Sequence, residues 1–260
     1  MSGPISEPLL SAEITASYSG AAVLKGVRFE ISPGEVLGLI GQSGSGKSTA
    51  ALAVLRLLSF RGGRQTGRVR FEGQDLLAPP EREMRKLRGR RIGFVPQSPA
   101  SALNPLLRLR THLAEAWRAH APKSGSFRKI LESVSLPADD AFLARYPGDI
   151  SVGQGQRFLI AMAVLHGPSL LIADEPTSAL DVITQAEILA LFSQMNRERG
   201  MAILFISHDL LSIASLCHRV AILREGELVE TGITEQIFRN PSHPYTQRLV
   251  AAIPRNPWTL

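Results

Sequence analysis

The stretch Gly41-Gln42-Ser43-Gly44-Ser45-Gly46-Lys47-Ser48-Thr49 constrains this chain more than any other. It fits the pattern G-x-x-x-x-G-K-[ST]. Its flanks fit as well, because the apolar run Glu35-Val36-Leu37-Gly38-Leu39-Ile40 precedes it and a helix is expected from about Ser48 to Leu58. Pro33-Gly34 marks a turn before the run, which is apolar enough for a strand buried on both faces. Glycines let the loop backbone curl so that successive N–H groups point inward. The helix that follows adds the positive end of its dipole. Strand, loop and helix together make a cradle for phosphate oxygens. Lys47 is placed to reach β- and γ-phosphates, and the Ser48 hydroxyl to ligate Mg²⁺. A chance Gly/Ser-rich turn is the competing reading, and the strand and helix on either side speak against it.

The chain has 260 residues, 44% of them hydrophobic and 20% charged. That suits one large domain, or a core with a smaller subdomain, and excludes global disorder. Cys217 is the single cysteine, so neither an intrachain disulfide nor a four-cysteine metal cluster is possible. The formal charge of +6 suits an anionic partner, without choosing among nucleotide, nucleic acid and an acidic membrane face. The N-terminus has no basic region and no long apolar stretch, so no signal peptide is expected there. Phe158–Ala173 is too short to span a membrane, and His166-Gly167-Pro168 breaks it. It reads as a helix, a turn and a buried strand. A cytoplasmic protein is expected, with any membrane span supplied by another chain.

Elsewhere the pattern alternates between β and α. Residues 9–40 read as short strands, and Val27-Arg28-Phe29-Glu30-Ile31 alternates as a strand with one exposed face. Residues 67–73 read as another exposed strand, and Ile92-Gly93-Phe94-Val95 as a further one. Residues 97–168 read as mostly helical, with loops at Ser98–Pro105 and Pro137–Asp149. Apolar strand cores return at Leu170–Ala173 and Ala202–Ile206, each after a helical stretch, which is the rhythm of a parallel sheet. Residues 81–91 carry six basic side chains and read as a solvated or phospholipid-facing surface. The tail from about Ile233 reads as helical, interrupted by Pro241 and Pro244.

Leu170–Ala173 ends in two carboxylates, Asp174 and Glu175. A strand parallel to the one before the phosphate loop would deliver Asp174 beside Ser48, where it could hold Mg²⁺. Glu175 could then polarise an attacking water. The alternative is that Asp-Glu only caps the following helix. His208 follows Ala202–Ile206 in the same manner. There it could contact the γ-phosphate or orient Glu175 and its water.

Together these stretches resemble the ATP-binding subunit of an ABC transporter, over nearly the whole chain. Phe94-Val95-Pro96-Gln97 resembles the family's Q-loop, Ser178-Ala179-Leu180-Asp181 its D-loop and Ile206-Ser207-His208-Asp209 its switch-histidine segment. Ile150-Ser151-Val152-Gly153-Gln154-Gly155-Gln156-Arg157 resembles the signature L-S-G-G-Q, with Ser151, Gly153 and Gln154 kept and Val152 in place of a glycine. A β-branched side chain takes φ > 0 poorly and adds bulk where a phosphate approaches.

The resemblance implies an α/β fold: a P-loop NTPase with a mostly parallel core sheet flanked by helices, an antiparallel β subdomain and an inserted α-helical subdomain. The implied division is 1–96 and 166–232 for the core, 97–165 for the helical subdomain and 233–260 for the tail. The implied ligands are ATP and Mg²⁺. Tyr18 lies where the family stacks an aromatic on adenine. The loop Gly41, Gln42, Ser43, Gly44, Ser45, Gly46, Lys47, Ser48 and Thr49 would take the phosphates. Ser48, Gln97 and Asp174 would surround the metal. Glu175 would be the base, with Lys47 and His208 on the γ-phosphate. In this family two ATPase subunits sandwich two ATP molecules, so Ser151, Val152, Gly153 and Gln154 would act on the ATP held by the partner. The second ATPase subunit would be another copy of this chain or a different one, and the valine favours a heterodimer with unequal sites.

Gln97-Ser98-Pro99-Ala100-Ser101-Ala102-Leu103-Asn104-Pro105 and Ile237–Gln247 resemble the peptide/nickel importers within the family. Those usually pair two ATPase subunits with two membrane-spanning subunits and an extracytoplasmic substrate-binding protein. The cargo implied is a small peptide or a nickel or metal chelate. The chain ends at Leu260 without the cysteine cluster of many peptide-importing members, which resembles the shorter metal-chelate members somewhat more. The resemblance places the chain on the cytoplasmic face of the membrane as a peripheral protein. Two rival readings are a partner subunit that binds ATP with weak or asymmetric hydrolysis, and a nucleic-acid-associated ABC ATPase. The second lacks the long coiled coils of its class between Gly41 and Asp174, and no nucleic-acid partner is expected. A P-loop kinase is disfavoured by the signature and D-loop.

Overall fold

Each strand of the central sheet sends alternate side chains to opposite faces, and both faces are covered. The structure is a computed structural model that describes residues 7–121 and 126–253. The first strands are β1 (Leu10–Tyr18), β2 (Ala21–Ile31) and β3 (Val36–Ile40), followed by α1 (Lys47–Val54). Next come β4 (Gly63–Phe71), β5 (Gln74–Asp75), α2 (Glu81–Leu87) and β6 (Ile92–Val95). The helices α3 (Pro99–Ala102), α4 (Leu109–Arg118), α5 (Arg128–Ser133), α6 (Asp140–Leu143) and α7 (Val152–Ala163) intervene before β7 (Leu170–Asp174). The chain continues through α8 (Val182–Arg199), β8 (Ala202–Ser207), α9 (Leu210–Leu216), β9 (Arg219–Arg224) and β10 (Glu227–Ile233) to α10 (Thr234–Arg239) and α11 (Pro244–Ala251).

Two sheets result. One is antiparallel, in the order β2-β1-β4-β5. The other has the order β10-β9-β3-β8-β7-β6, parallel throughout except for the edge strand β10. Val36 and Ile40 of β3, Ile203 and Phe205 of β8, and Leu171 and Ala173 of β7 join one core with Phe158 and Phe192 of the helices. Leu37 and Leu39, Leu204 and Ile206, and Leu170 and Ile172 join a second core with the antiparallel sheet and α1. This period-2 split is why the parallel strands read as unbroken apolar runs. Gly38 alone on β3 has no side chain, and a Cβ there would lie 2.9 Å from Ile213, so the glycine lets α9 approach the sheet.

Several expectations shift by local physics. β2 is one long strand whose 27–31 segment alternates as expected, and β4 starts at Gly63 because Gly63 pairs with Tyr18 of β1. β4 is also not wholly exposed, since Val69 and Phe71 are buried. α1 ends at Val54 rather than near Leu58, and Arg56 takes φ 53. The stretches 98–105 and 137–149 contain the short helices α3 and α6. Pro244 opens α11, where a proline lacks nothing, instead of interrupting it. The basic run is not uniformly solvated. Arg88 turns inward, where its guanidinium pairs with Glu81 at 2.5 and 3.1 Å and donates to Leu55 O at 2.7 Å.

Candidate active site

The register of the central sheet brings four strand ends to one edge. Ile40 pairs with Ser207, Asp174 with Ile206, and Val95 with Ala173. The residues that follow these ends are the phosphate loop, His208, Glu175 and the Pro96-Gln97 pair. Ligands of open α/β sheets bind at such carboxyl ends.

The loop itself is built by glycines. Gly44 and Gly46 take φ 81 and φ 106, and Gly46 stands as the N-cap of α1 with no side-chain cap. By contrast Ser151, Asp181 and Asp209 cap α7, α8 and α9 with their side chains. The first N–H groups of α1 therefore keep their donor capacity for an anion. A hairpin braces the loop from behind. Glu225 and Gly226 turn between β9 and β10 with φ 50 and φ 82, and Gly226 N–H donates to Ser45 O at 3.2 Å. The Ser45 hydroxyl is buried with no partner among the described residues, a polar atom left over inside the loop.

The ammonium of Lys47 is buried and donates to Gly41 O at 2.8 Å and Gln42 O at 3.2 Å. It lies 3.5 Å from Glu175 Oε1. The Ser48 hydroxyl donates to Asp174 Oδ1 at 3.0 Å. Burial of Asp174 pushes its carboxyl above the ordinary value. The Ser48 hydrogen bond opposes the shift, the Glu175 charge adds to it and Lys47 opposes it. Hydroxyl and carboxylate are hard oxygen donors of the kind Mg²⁺ takes. A cation there would supply the charge compensation that Lys47 leaves incomplete, so the residues present fit the metal.

Glu175 is the hub. It takes φ 47, a left-handed backbone that a glutamate holds only when its surroundings fix it. Its N–H donates to Ile206 O at 2.9 Å, and its carbonyl accepts the Ser178 hydroxyl at 3.1 Å. Its Oε2 lies 3.2 Å from His208 Nδ1 and accepts the Gln97 amide at 3.2 Å. The His208 segment is held from α8, where Gln185 donates to Asp209 Oδ2 at 2.7 Å. Gln97 thus meets Glu175, and also the Ser178 hydroxyl at 3.4 Å. The hydrogen bonds place it on the carboxylate side of the site rather than on the Ser48–Asp174 pair.

A cleft of about 380 Å³ opens over the loop, lined by Tyr18, Val23, Gln97, Glu175 and every loop residue from 43 to 49 except Ser45. Tyr18 is half-buried against Gly63, where any side chain would strike the ring. None of Ser151, Val152, Gly153 or Gln154 lines this cleft. They open α7, where Ser151 and Gln154 close a capping box at 3.1 and 3.2 Å. Val152 is the first helical residue and is absent from the positions with positive φ, so the strain expected of a valine there does not arise. Its side chain is 55% exposed. Gly153 faces α8, and a Cβ there would lie 2.8 Å from Thr184. Asp181 caps α8 rather than Asp174 or Glu175 doing so. One contact has no signal in the local sequence: the Tyr245 hydroxyl of α11 accepts the Gln42 N–H at 3.3 Å.

A glycine-built loop running into an uncapped helix, the Ser48–Asp174 pair beside it and Glu175 at the next strand end define a P-loop architecture on a two-sheet core. This chain belongs to the ABC transporter ATP-binding family, whose model matches residues 24–178. A second match, to the oligopeptide/dipeptide transporter C-terminal region, covers residues 229–259. The chain is 40% identical to the peptidoglycan transport ATP-binding protein YejF of Agrobacterium fabrum, over 96% of this chain and 48% of that one. It is 39% identical to the oligopeptide transport ATP-binding protein OppD of Bacillus subtilis, over 92% of this chain and 68% of that one. The chain therefore spans about half the length of the first of these relatives. Among solved structures it resembles the dimeric ATP-binding cassette MJ0796 in a post-hydrolysis state with ADP and Pi. The TM-score there is 0.75 and the identity 28%, over 86% of this chain and 98% of that one.

Proposed function

We propose that this chain is the ATP-hydrolysing subunit of an importer of small peptides or peptide-like cargo. The observation that carries the reading is the convergence of Lys47, Gln97 and His208 on Glu175, one residue beyond the Ser48–Asp174 pair. In this reading the loop N–H groups at 45–49 and the Lys47 ammonium bind the phosphates, and Tyr18 underlies the base. Ser48 and Asp174 hold Mg²⁺, which screens the phosphate charge when bound, while Gln97 stands on the Glu175 side of the site. Glu175 takes the proton of the attacking water. His208 holds that carboxylate in line, and Gln97 reports its state to the segment that follows it.

The same reading assigns the core to 1–96 and 166–232, the helical subdomain to 97–165 and the tail to 233–260. Ser151, Val152, Gly153 and Gln154 act on the ATP of a second ATPase subunit. Val182 and Ile183, 83% and 74% exposed beside the Asp181 cap, support docking of that subunit. No helix among the described residues is long and apolar enough to cross a membrane. Two membrane-spanning subunits and an extracytoplasmic binding protein complete the system, with this chain on the cytoplasmic face. An apolar depression of about 390 Å³, lined by Pro99, Leu103, Ile150 and Val152, lies just past Gln97 and suits a loop of a membrane subunit.

The names of the relatives and the match of the tail favour peptide-class cargo over nickel or another metal chelate. The test is uptake of a labelled dipeptide and of a nickel chelate by cells carrying the wild-type chain or Glu175→Gln. Loss of dipeptide uptake alone supports the reading, and loss of nickel uptake alone reverses the cargo. Uptake of both at wild-type rates removes the chain from import. The second reading, a subunit that binds ATP and leaves hydrolysis to its partner, rests on Val152 alone.

A further inference from the structure

The tail reaches back to the phosphate loop through a chain of hydrogen bonds that ends on the buried Tyr245. On β10, Glu230 accepts the Ser242 N–H at 2.7 Å and the His243 N–H at 3.0 Å, which fixes the start of α11. His243 Nδ1 then accepts the Tyr245 N–H at 3.1 Å, capping that helix. Tyr245 is 5% exposed, and the Arg224 guanidinium lies 5.2 Å above its ring. Its hydroxyl accepts the Gln42 N–H at 3.3 Å.

That N–H belongs to the planar peptide unit joining Gly41 to Gln42. The carbonyl of the same unit is Gly41 O, which receives the Lys47 ammonium at 2.8 Å. Rotation of this plane would move both groups at once. A hydrogen bond on the N–H side therefore sets the direction in which Gly41 O presents itself to Lys47. Flanking glycine makes the plane easy to rotate, and the tyrosine ring is a stiff strut with few torsions.

We propose that Tyr245 is a positioning residue of the nucleotide site, through which the C-terminal segment holds the Gly41–Gln42 peptide plane and with it Lys47. The inference rests on the reading of Lys47 as a phosphate ligand. Tyr245 touches no substrate in this account. It raises nucleotide affinity by keeping the lysine in register, and Glu230 acts one step further back by setting α11.

The test uses the full chain and a fluorescent ATP analogue, with Lys47→Ala, Tyr245→Phe and Glu230→Gln beside wild type. Tyr245→Phe removes only the hydroxyl. Loss of one such hydrogen bond is expected to weaken nucleotide binding about three- to tenfold. The KM for ATP should rise by the same factor, with kcat within about twofold and the melting temperature nearly unchanged. Amide exchange at Gln42 should accelerate, a readout that general loosening of α11 would not confine to that residue. Glu230→Gln, which keeps the fold should Tyr245→Phe not, should shift affinity in the same direction by less. If Lys47→Ala abolishes binding while both tail variants bind as wild type, the proposal is overturned and the phosphate-loop reading stands. If Lys47→Ala binds normally, the reading beneath it fails. Equal falls in kcat and melting temperature would reduce Tyr245 to a packing role and also overturn the proposal.

Discussion

The Ser48 hydroxyl donates to Asp174 Oδ1 across 3.0 Å, although 126 residues separate them in sequence. Parallel pairing of β3 and β7 on either side of β8 brings them together. The carboxylate is buried there, and burial raises its pKa.

The sign of the resulting pH dependence follows from that direction. A carboxyl with a raised native value binds a proton more readily folded than unfolded, so its stabilising contribution is complete below the unfolded value. That contribution is lost as pH rises through the native value. At pH 7 the ionised Asp174 opposes folding. Asp174→Asn should raise the melting temperature without ligand by about 2–4 °C, corresponding to ~1 kcal/mol for a chain of this size. The gain should shrink as pH is lowered past the carboxylate range. The same variant should lose the stabilisation that Mg-ATP confers on wild type. Calorimetry across pH, with and without Mg-ATP, reads both effects, and a lower melting temperature at pH 7 would contradict the assignment.

His208 and Gln97 share one oxygen of Glu175. A positioned general base contributes about 10²–10⁴-fold to rate. His208→Ala should cost most of that factor in ATP turnover while nucleotide affinity stays within a few-fold. Gln97→Ala should lower turnover less and should uncouple it from transport. Steady-state hydrolysis, with and without the membrane subunits, separates the two roles.

Val152 stands exposed at the head of α7, outside the cleft on its own chain. In a reconstituted pair of ATPase subunits, Val152→Gly should change nucleotide affinity and turnover at the partner's phosphate loop by several-fold. The site on Lys47 should stay as it was. Removing a side chain from an exposed first helical turn costs only about 0.5–1 kcal/mol, so stability does not confound the result. Unchanged turnover and affinity at both sites would sink the idea of unequal sites.

Gly41 is boxed in by Leu223 O and the Ser45 side chain, both of which a Cβ would strike. Gly41→Ala should destabilise the chain by ~2–3 kcal/mol and weaken nucleotide binding together with it. Denaturant unfolding checks the first effect and analogue binding the second.

The features legible in sequence are those set by local pattern. Gly41–Thr49 carries its glycines and its lysine contiguously. Asp174, Glu175 and His208 each end an apolar run, and the alternation at 27–31 matches the buried and exposed faces of β2. Features set by long-range register were not legible. The start of β4 at Gly63 is dictated by its pairing with Tyr18, across a polar segment with no strand alternation of its own. Val152 read as strained because a glycine in its place suggests positive φ, whereas Ser151 caps a helix that begins there. The Tyr245 contact gave no signal, because nothing in the neighbouring residues shows that its hydroxyl meets a loop 203 residues away.

The proposed hydrolysis depends on Glu175 as the base, and Glu175→Gln tests that most directly. The amide keeps the shape of the side chain and the contact with Gln97 or His208, but it cannot accept the proton of water. Measured on the purified full chain with its ATPase partner, the variant should bind ATP with an affinity within a few-fold of wild type. It should hydrolyse ATP at least about 10²-fold more slowly. Turnover close to wild type, with binding intact, would remove Glu175 from the base role and with it the proposed mechanism.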